Sequence, residues 1–203
     1  NRSVADWNGN STSINDNGNV SATLAALTRT VGEDVGSYNI LSSILNYSGS
    51  AAGNYSTSAS LTGSPILTIN PANLTGSIAN QSKIYGADDP SLSGVGVTLG
   101  GIINRTVSTW NGNVSVNDGG NVATTLASLT RAVGETIGNY NITAATFNSL
   151  TGTAAGNYNA PSFTGSPVLT INKANLTGSI ANQSKIYGAD DPSLSGIGVT
   201  LGG

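Results

Sequence analysis

Residues 72–94 read ANLTGSIANQSKIYGADDPSLSG, and the same 23 letters return unchanged at 174–196, an offset of 102 residues. The middle of the chain repeats at the same offset: LTRTVGEDVGSYNI from Leu27 aligns with LTRAVGETIGNYNI from Leu129. One-residue insertions near 11–14 and 148–151 compensate one another, which marks those places as loops. A period near 102 far exceeds the 20 to 50 residues of a solenoid coil and matches one small domain. Each period is therefore expected to be a domain. Residues 1–70 form an incomplete repeat lacking its opening third, 71–172 a complete repeat, and 173–203 the opening third of a further repeat, able to complete a neighbouring copy.

Within 71–172, apolar and polar side chains alternate over seven short stretches: 74–78, 95–99, 107–110, 125–131, 140–146, 158–163 and 168–171. Alternation is the period of a strand with one buried face. The pairs Asn111-Gly112 and Asn8-Gly9 predict two-residue type I′ hairpins, which need positive φ at both positions. Asp118-Gly119 and Asp88-Asp89-Pro90 predict further turns. The one window that reads as a short helix is 121–129. The class is all-β, a tandem repeat of immunoglobulin-like β-sandwich modules of about 100 residues, with β-grasp as the alternative topology. Tyr38 and Tyr140 each follow a glycine and enter a strand. This resembles a tyrosine corner, in which the phenol bonds back to the chain; an ordinary core tyrosine after a glycine turn fits as well.

Composition removes most chemistry. The 203 residues include no His, Cys or Met, 27 Gly, and only 7 basic and 10 acidic side chains, for a net charge of −3. Without His or Cys there is no imidazole or thiol nucleophile pair and no ordinary zinc site. No clustered basic footprint for nucleic acid exists, and no apolar run long enough for membrane insertion. At 8 % charged residues, the surface is built from Asn, Ser, Thr and Gly and is nearly neutral, so neighbouring copies repel little. Missing cysteine fixes no compartment.

The blocks KIYGADDPSLSG, LTRAVGE, GNYNI, AAGNYN and SPVLTINKA, in that order, resemble the MBG domain, YGX type, of bacterial surface proteins. The signature positions are Tyr85-Gly86, Asp89-Pro90, Leu129-Thr130-Arg131, Gly134-Glu135, Gly138-Asn139-Tyr140 and Leu169-Thr170-Ile171, and the similarity spans the chain as two tandem copies in staggered phase. The resemblance implies an extracellular, repeat-containing adhesin or surface-fibre protein with no enzyme activity and no catalytic residues.

Candidate sites are few. Asp88 and Asp89, with their copies Asp190 and Asp191, offer carboxylates to calcium, but a turn capped before Pro90 explains them equally simply. No other cofactor is implied. Arg131 and Glu135, like Arg29 and Glu33, stand four apart, as a solvated surface pair or as an interdomain latch. Trp7, Trp110 and Asn111 sit beside predicted turns, where a ring anchors the hairpin or stacks on a sugar. Asn73, Asn80, Asn104, Asn113, Asn141, Asn175 and Asn182 head glycosylation sequons, many of which arise by chance in a chain this rich in Asn, Ser and Thr. Regular Thr-x-Thr ladders for ice binding are missing. Two carboxylates from different loops would in principle hydrolyse a glycoside, yet no converging cleft is legible.

The expected function is structural. Ile69-Asn70-Pro71-Ala72 and Ile171-Asn172-Lys173-Ala174 join successive units through about two residues, one a proline, which disfavours hinging. A stiff adhesin stalk follows, or a surface or biofilm-matrix filament whose chains join head to tail by domain or strand complementation. The alternative is a multivalent adhesin module for carbohydrate or a host protein, repetition serving avidity.

Overall fold

A computed structural model describes residues 1–56 and 62–203. The described residues form sixteen strands: β1 (Arg2–Ala5), β2 (Ser11–Ile14), β3 (Ser21–Arg29), β4 (Gly36–Ser48), β5 (Ile66–Ile69), β6 (Thr75–Ile78), β7 (Gln81–Ile84), β8 (Val97–Gly100), β9 (Asn104–Thr109), β10 (Gly112–Asn117), β11 (Leu126–Arg131), β12 (Gly138–Phe147), β13 (Ser162–Phe163), β14 (Val168–Asn172), β15 (Thr177–Ile180) and β16 (Val199–Gly202). The only helical elements among the described residues are single 3₁₀ turns. The class is all-β with several sheets, as read from the alternation. No helix among the described residues is long and apolar enough to cross a membrane.

The chain forms two compact units. The first holds Asn1–Leu74, Gly101–Ala123 and Leu150–Asn159; the second holds Thr75–Gly100, Thr124–Ser149 and Ala160–Gly203. In the second unit a four-stranded sheet, β11-β12-β14-β7, accompanies a three-stranded sheet, β13-β6-β8. Ile78, Val95, Leu126 and Ile142 are the buried centre, with Val97, Leu129, Phe147 and Phe163 packed around them. This is consistent with a β-sandwich, in which the inward residues of two sheets meet and the alternate residues face water. Two pairings are parallel, β14 with β7 and β13 with β6. The remaining strands of the unit, β15 and β16, form an antiparallel pair.

In the first unit, β3, β4 and β5 form an antiparallel sheet, and β1-β2 and β9-β10 are hairpins. Counterpart strands deviate at counterpart places. The pairing of β3 shifts at Leu24/Ala26 and Thr28/Arg29, and that of β11 at Leu126/Ser128 and Thr130/Arg131. A bulge at a strand end re-aims the side chain that follows, here Arg29 and Arg131.

Three expectations need correction. Residues 121–129 form no helix; their second half enters β11, because pairing with β12 outweighs a weak local preference. Neither Asn-Gly pair makes a type I′ turn, since no non-glycine among the described residues has positive φ. Between β9 and β10 the loop residues are Trp110 and Asn111, and Gly112 follows at φ 110°, the pattern of a type I turn with a glycine bulge. Between β1 and β2 the loop is longer, and Asp6 closes it by accepting bonds from the backbone N–H of Asn8 (2.9 Å) and Asn10 (2.8 Å).

Candidate functional site

The ends of β3 and β11 carry the same polar cradle. Arg131 leaves the bulge with Nη1 donating to the carbonyls of Ala132 (3.1 Å) and Gly134 (2.8 Å), and Nη2 donates to Glu135 Oε1. The guanidinium lies 5.5 Å from the Tyr140 ring centre, and the Tyr140 hydroxyl donates to the Thr136 carbonyl at 2.8 Å. At the earlier copy, Arg29 Nη1 donates to Thr30 O (3.1 Å) and Gly32 O (2.7 Å) and Nη2 to Glu33. The Tyr38 ring centre lies 5.1 Å from that guanidinium, and its hydroxyl donates to Asp34 O (2.7 Å). The backbone bond expected of a tyrosine corner is thus present twice. Gly134, at φ 142°, is required here: a Cβ at this position would collide with the Tyr140 ring.

In the second unit the cradle is completed from β7 and the loop after it. Lys83, buried, places Nζ 2.8 Å from Asp89 Oδ1 and 2.5 Å from Glu135 Oε2. Arg131 Nε donates to Asp89 Oδ2 at 2.7 Å and Nη2 to Oδ1 at 3.1 Å. The result is a neutral quartet of two cations and two carboxylates. The Arg131 hydrogen bonds, joined by that from Lys83, overcome desolvation and hold the Asp89 carboxyl down to about 2. Glu135 is lowered by Lys83 and then Arg131, while Lys83 is raised by Asp89 and Glu135. A carboxylate kept ionised this far down the pH scale is the reverse of what a general acid needs. The geometry is that of a clamp joining β7, its loop, β11 and the loop after β11.

The same ion pairs bear on calcium. Both oxygens of Asp89 already accept from Lys83 and Arg131. Asp191 pairs with Lys185 at 2.7 Å. No group of three or more acidic, His or Cys side chains among the described residues is disposed to hold a metal. Asp88 and Asp190 are exposed and join no such group.

The first unit contains a second polar arrangement, built by asparagines. Asn111 reaches the backbone of Arg29 from both sides: its Oδ1 accepts from Arg29 N (3.1 Å) and its Nδ2 donates to Arg29 O (2.7 Å). Asn157 joins one backbone and one side-chain partner, accepting from Val35 N (2.8 Å) and donating to the Asp34 carboxylate Oδ1 (2.8 Å). The connector is held by main-chain bonds, Ala72 N to Asn157 O (2.9 Å) and Asn159 N to Ala72 O (2.8 Å). Behind it, the Tyr158 hydroxyl accepts from Ile103 N (2.8 Å) and donates to Asp118 (2.7 Å); burial, with that carboxylate, raises the phenol's pKa.

The tryptophans part company. Trp7, at the tip of the β1-β2 loop, is fully exposed, with a relative accessibility of 106 %, so it anchors no core. Trp110 is half exposed and lines a cavity of about 280 Å³ with Arg29, Glu33, Leu67 and Ile69. The seven sequon asparagines named above are all exposed. Three of them accept structural bonds through Oδ1: Asn73 from Asn159, Asn80 from Val168 N and Asn104 from Gly119 N.

Sequence reasoning found Arg29, Glu33, Arg131, Glu135, Asp89 and Asn111, but not that Asp89 meets Arg131. Lys83 and Asn157 were missed altogether. The signal for Lys83 was its place inside the identically repeated block, six residues before Asp89. Comparison with known proteins gives no match: no family model, no curated protein and no solved structure matches the chain.

Proposed function

We propose that the chain is a structural, extracellular repeat protein of the MBG kind, built from sandwich modules of about 100 residues. It acts as a stiff adhesin stalk or as a cell-surface filament extended head to tail by domain or strand complementation. The observation that carries this reading is the tethered connector. Ala72 is bonded on both its N–H and its C=O, and Asn111 and Asn157 grip the backbone of Arg29 and Val35. Those bonds lie within the first compact unit and order the stretch around Ala72, where a freely flexible linker would stay unordered.

The MBG assignment rests on the ordered sequence blocks. The low charge of the surface supports close lateral or axial contact between copies. A clamp of mutually neutralised ions, in a chain without His or Cys, supports a mechanical role over an enzymatic one. In this reading the partners are further copies of the same chain, and no cofactor takes part. Electron micrographs of native material should show uniform threads with an axial repeat of one or two modules. A chain that stays a compact monomer in sedimentation at high concentration would contradict the assembling form.

A second reading, a multivalent carbohydrate- or host-protein-binding module, is favoured by one observation: Trp7 projects a whole indole into solvent beside Asn8. Glycan-array binding that disappears in Trp7→Ala would select it.

A further inference from the structure

Three steps of the chain read Asn-Gly: Asn8-Gly9, Asn17-Gly18 and Asn111-Gly112. Asparagine is among the thermolabile residues, and a following glycine, having no Cβ, leaves its backbone nitrogen open to the carbon of the preceding side-chain amide. Ring closure between the two needs two freedoms. The glycine nitrogen has to be able to lose its proton, and the asparagine amide has to swing onto it. Exposure does not separate the three steps, since Asn8, Asn17 and Asn111 are all exposed. Hydrogen bonding does.

Asn17 stands at the tip of a turn closed by Asn19 N donating to Asp16 O at 2.9 Å, with its own backbone N–H on Asn15 Oδ1 at 3.1 Å. Among the described residues, neither the side-chain amide of Asn17 nor the N–H of Gly18 has a hydrogen-bond partner. Gly18, at φ 80°, has nothing within 4 Å of where a Cβ would stand. The same turn recurs at residues 117–121, closed by Asn121 N to Asp118 O at 2.9 Å, with an exposed glycine, Gly119, in the place of Asn17. Exposure at this position therefore belongs to the turn, and the turn closes without an asparagine side chain there. Asn111 is the opposite case. Before its amide can reach the nitrogen of Gly112 it has to release Arg29 O from Nδ2 (2.7 Å) and Arg29 N from Oδ1 (3.1 Å). Asn8 stands between the two: no partner holds its amide among the described residues, but Gly9 N donates to Asp6 O at 3.1 Å.

We propose that Asn17 is a site of spontaneous deamidation, and that the backbone of Arg29 shields Asn111 from the same reaction. The Gly18 nitrogen gives its proton to hydroxide and bonds to Asn17 Cγ; the Cγ–Nδ2 bond breaks, and ammonia leaves with a proton taken from water, which restores the hydroxide. The five-membered succinimide then takes up one water. Opening at one carbonyl gives aspartate, and opening at the other gives isoaspartate, in which the main chain runs through the former side chain. The net change is one water consumed, one ammonia released and one carboxylate gained, with no oxidant, reductant or cofactor. At position 17 the outcome is local. Isoaspartate lengthens the turn by one backbone carbon and loosens the bond from Asn19 N to Asp16 O, and with it the bond that Asn19 O accepts from Ala51 N at 3.0 Å. At position 111 the same chemistry would set a carboxylate oxygen where Nδ2 donates, facing the Arg29 carbonyl, and the two-sided grip would be lost.

The test follows the full-length chain in mildly alkaline buffer, folded and in denaturing urea. Mass spectrometry of the three Asn-Gly peptides reads the one-dalton gain, and electron-transfer fragmentation separates isoaspartate from aspartate. In the folded chain Asn17 should convert at close to its rate in urea. Asn111 should be slowed at least about tenfold against urea, because two hydrogen bonds break before its ring can close, and Asn8 should fall between. Folding that slows Asn17 as much as Asn111 would overturn the site. Conversion of Asn111 at its urea rate, in chains whose circular dichroism stays native, would overturn the shield.

Discussion

Residues 72–94 and 174–196 are the same peptide in two conditions. In the first, Gln81–Ile84 is a strand, Ile78 is buried and Lys83 is enclosed between two carboxylates. In the second, the strand at 183–186 is missing and Ile180, Ile186 and Tyr187 face water. Since the letters do not differ, the difference measures what the sheet beneath contributes. For this block, strand formation is a tertiary event: pairing and burial on β14 and β12 decide it, and intrinsic propensity does not. The 75–78 and 177–180 stretches are strands in both conditions, because each has its own antiparallel partner, β6 with β8 and β15 with β16.

The contrast is broken most forcefully at the apolar centre. Ile78→Ala should destabilise the second unit by about 3 kcal/mol, as for other large-to-small changes in a packed core. Ile180→Ala should stay within about 0.5 kcal/mol under dilute conditions. Chemical denaturation read by far-UV circular dichroism compares the two, and equal effects would mean that both copies are buried. Next comes the cradle: Gly134→Ala should cost about 2 kcal/mol, combining a disfavoured positive φ with collision against the Tyr140 ring. Thermal melting would show this, and Tyr140→Phe in the same background should soften the loss little, because the ring carbon Cε1 makes the closest contact and remains in phenylalanine.

The junction and its free counterpart give a smaller contrast. Asn111→Ala removes two bonds to the Arg29 backbone and should cost about 1 to 2 kcal/mol. Asn8→Ala, at the exposed counterpart position, should change stability by less than about 0.5 kcal/mol. The smallest effect is electrostatic. Asp89 titrates near 2 in the folded chain and near 3.9 when unfolded, so its contribution is fully present above about pH 4 and is lost as pH falls through 2. With the side chain nearly half exposed, screening leaves about 1 kcal/mol of it. Urea midpoints between pH 5 and 2 should fall for the wild type and fall less for Asp89→Asn.

Much of this was legible beforehand, for definable reasons. The all-β class followed from alternation at 125–131 and 140–146, which became β11 and β12. β7 was not legible: Gln81, Ser82 and Lys83 are polar, and the strand exists through parallel pairing with a segment 88 residues away, between Leu169 and Gln81. Nor was the short turn at Trp110-Asn111, because Asn-Gly specifies a tight turn without saying which residues occupy its centre. The quartet joined two signals that each looked local, an acidic turn and an Arg-Glu pair four apart, and only long-range pairing brings them together. Trp7 shows the opposite failure, a large ring expected to anchor a hairpin and left in solvent.

Head-to-tail assembly requires a surface that is open in the isolated chain and closed by another copy. The most direct measurement is thiol labelling of two single variants, I78C and I180C, across a dilution series of the full chain. The thiol of I78C should be slow to label throughout, while that of I180C should label near the rate of a free thiol when dilute and slow as chains associate. Equal protection of both thiols at high dilution, or full reactivity of the I180C thiol in sedimenting assemblies, would contradict a surface closed by a second copy.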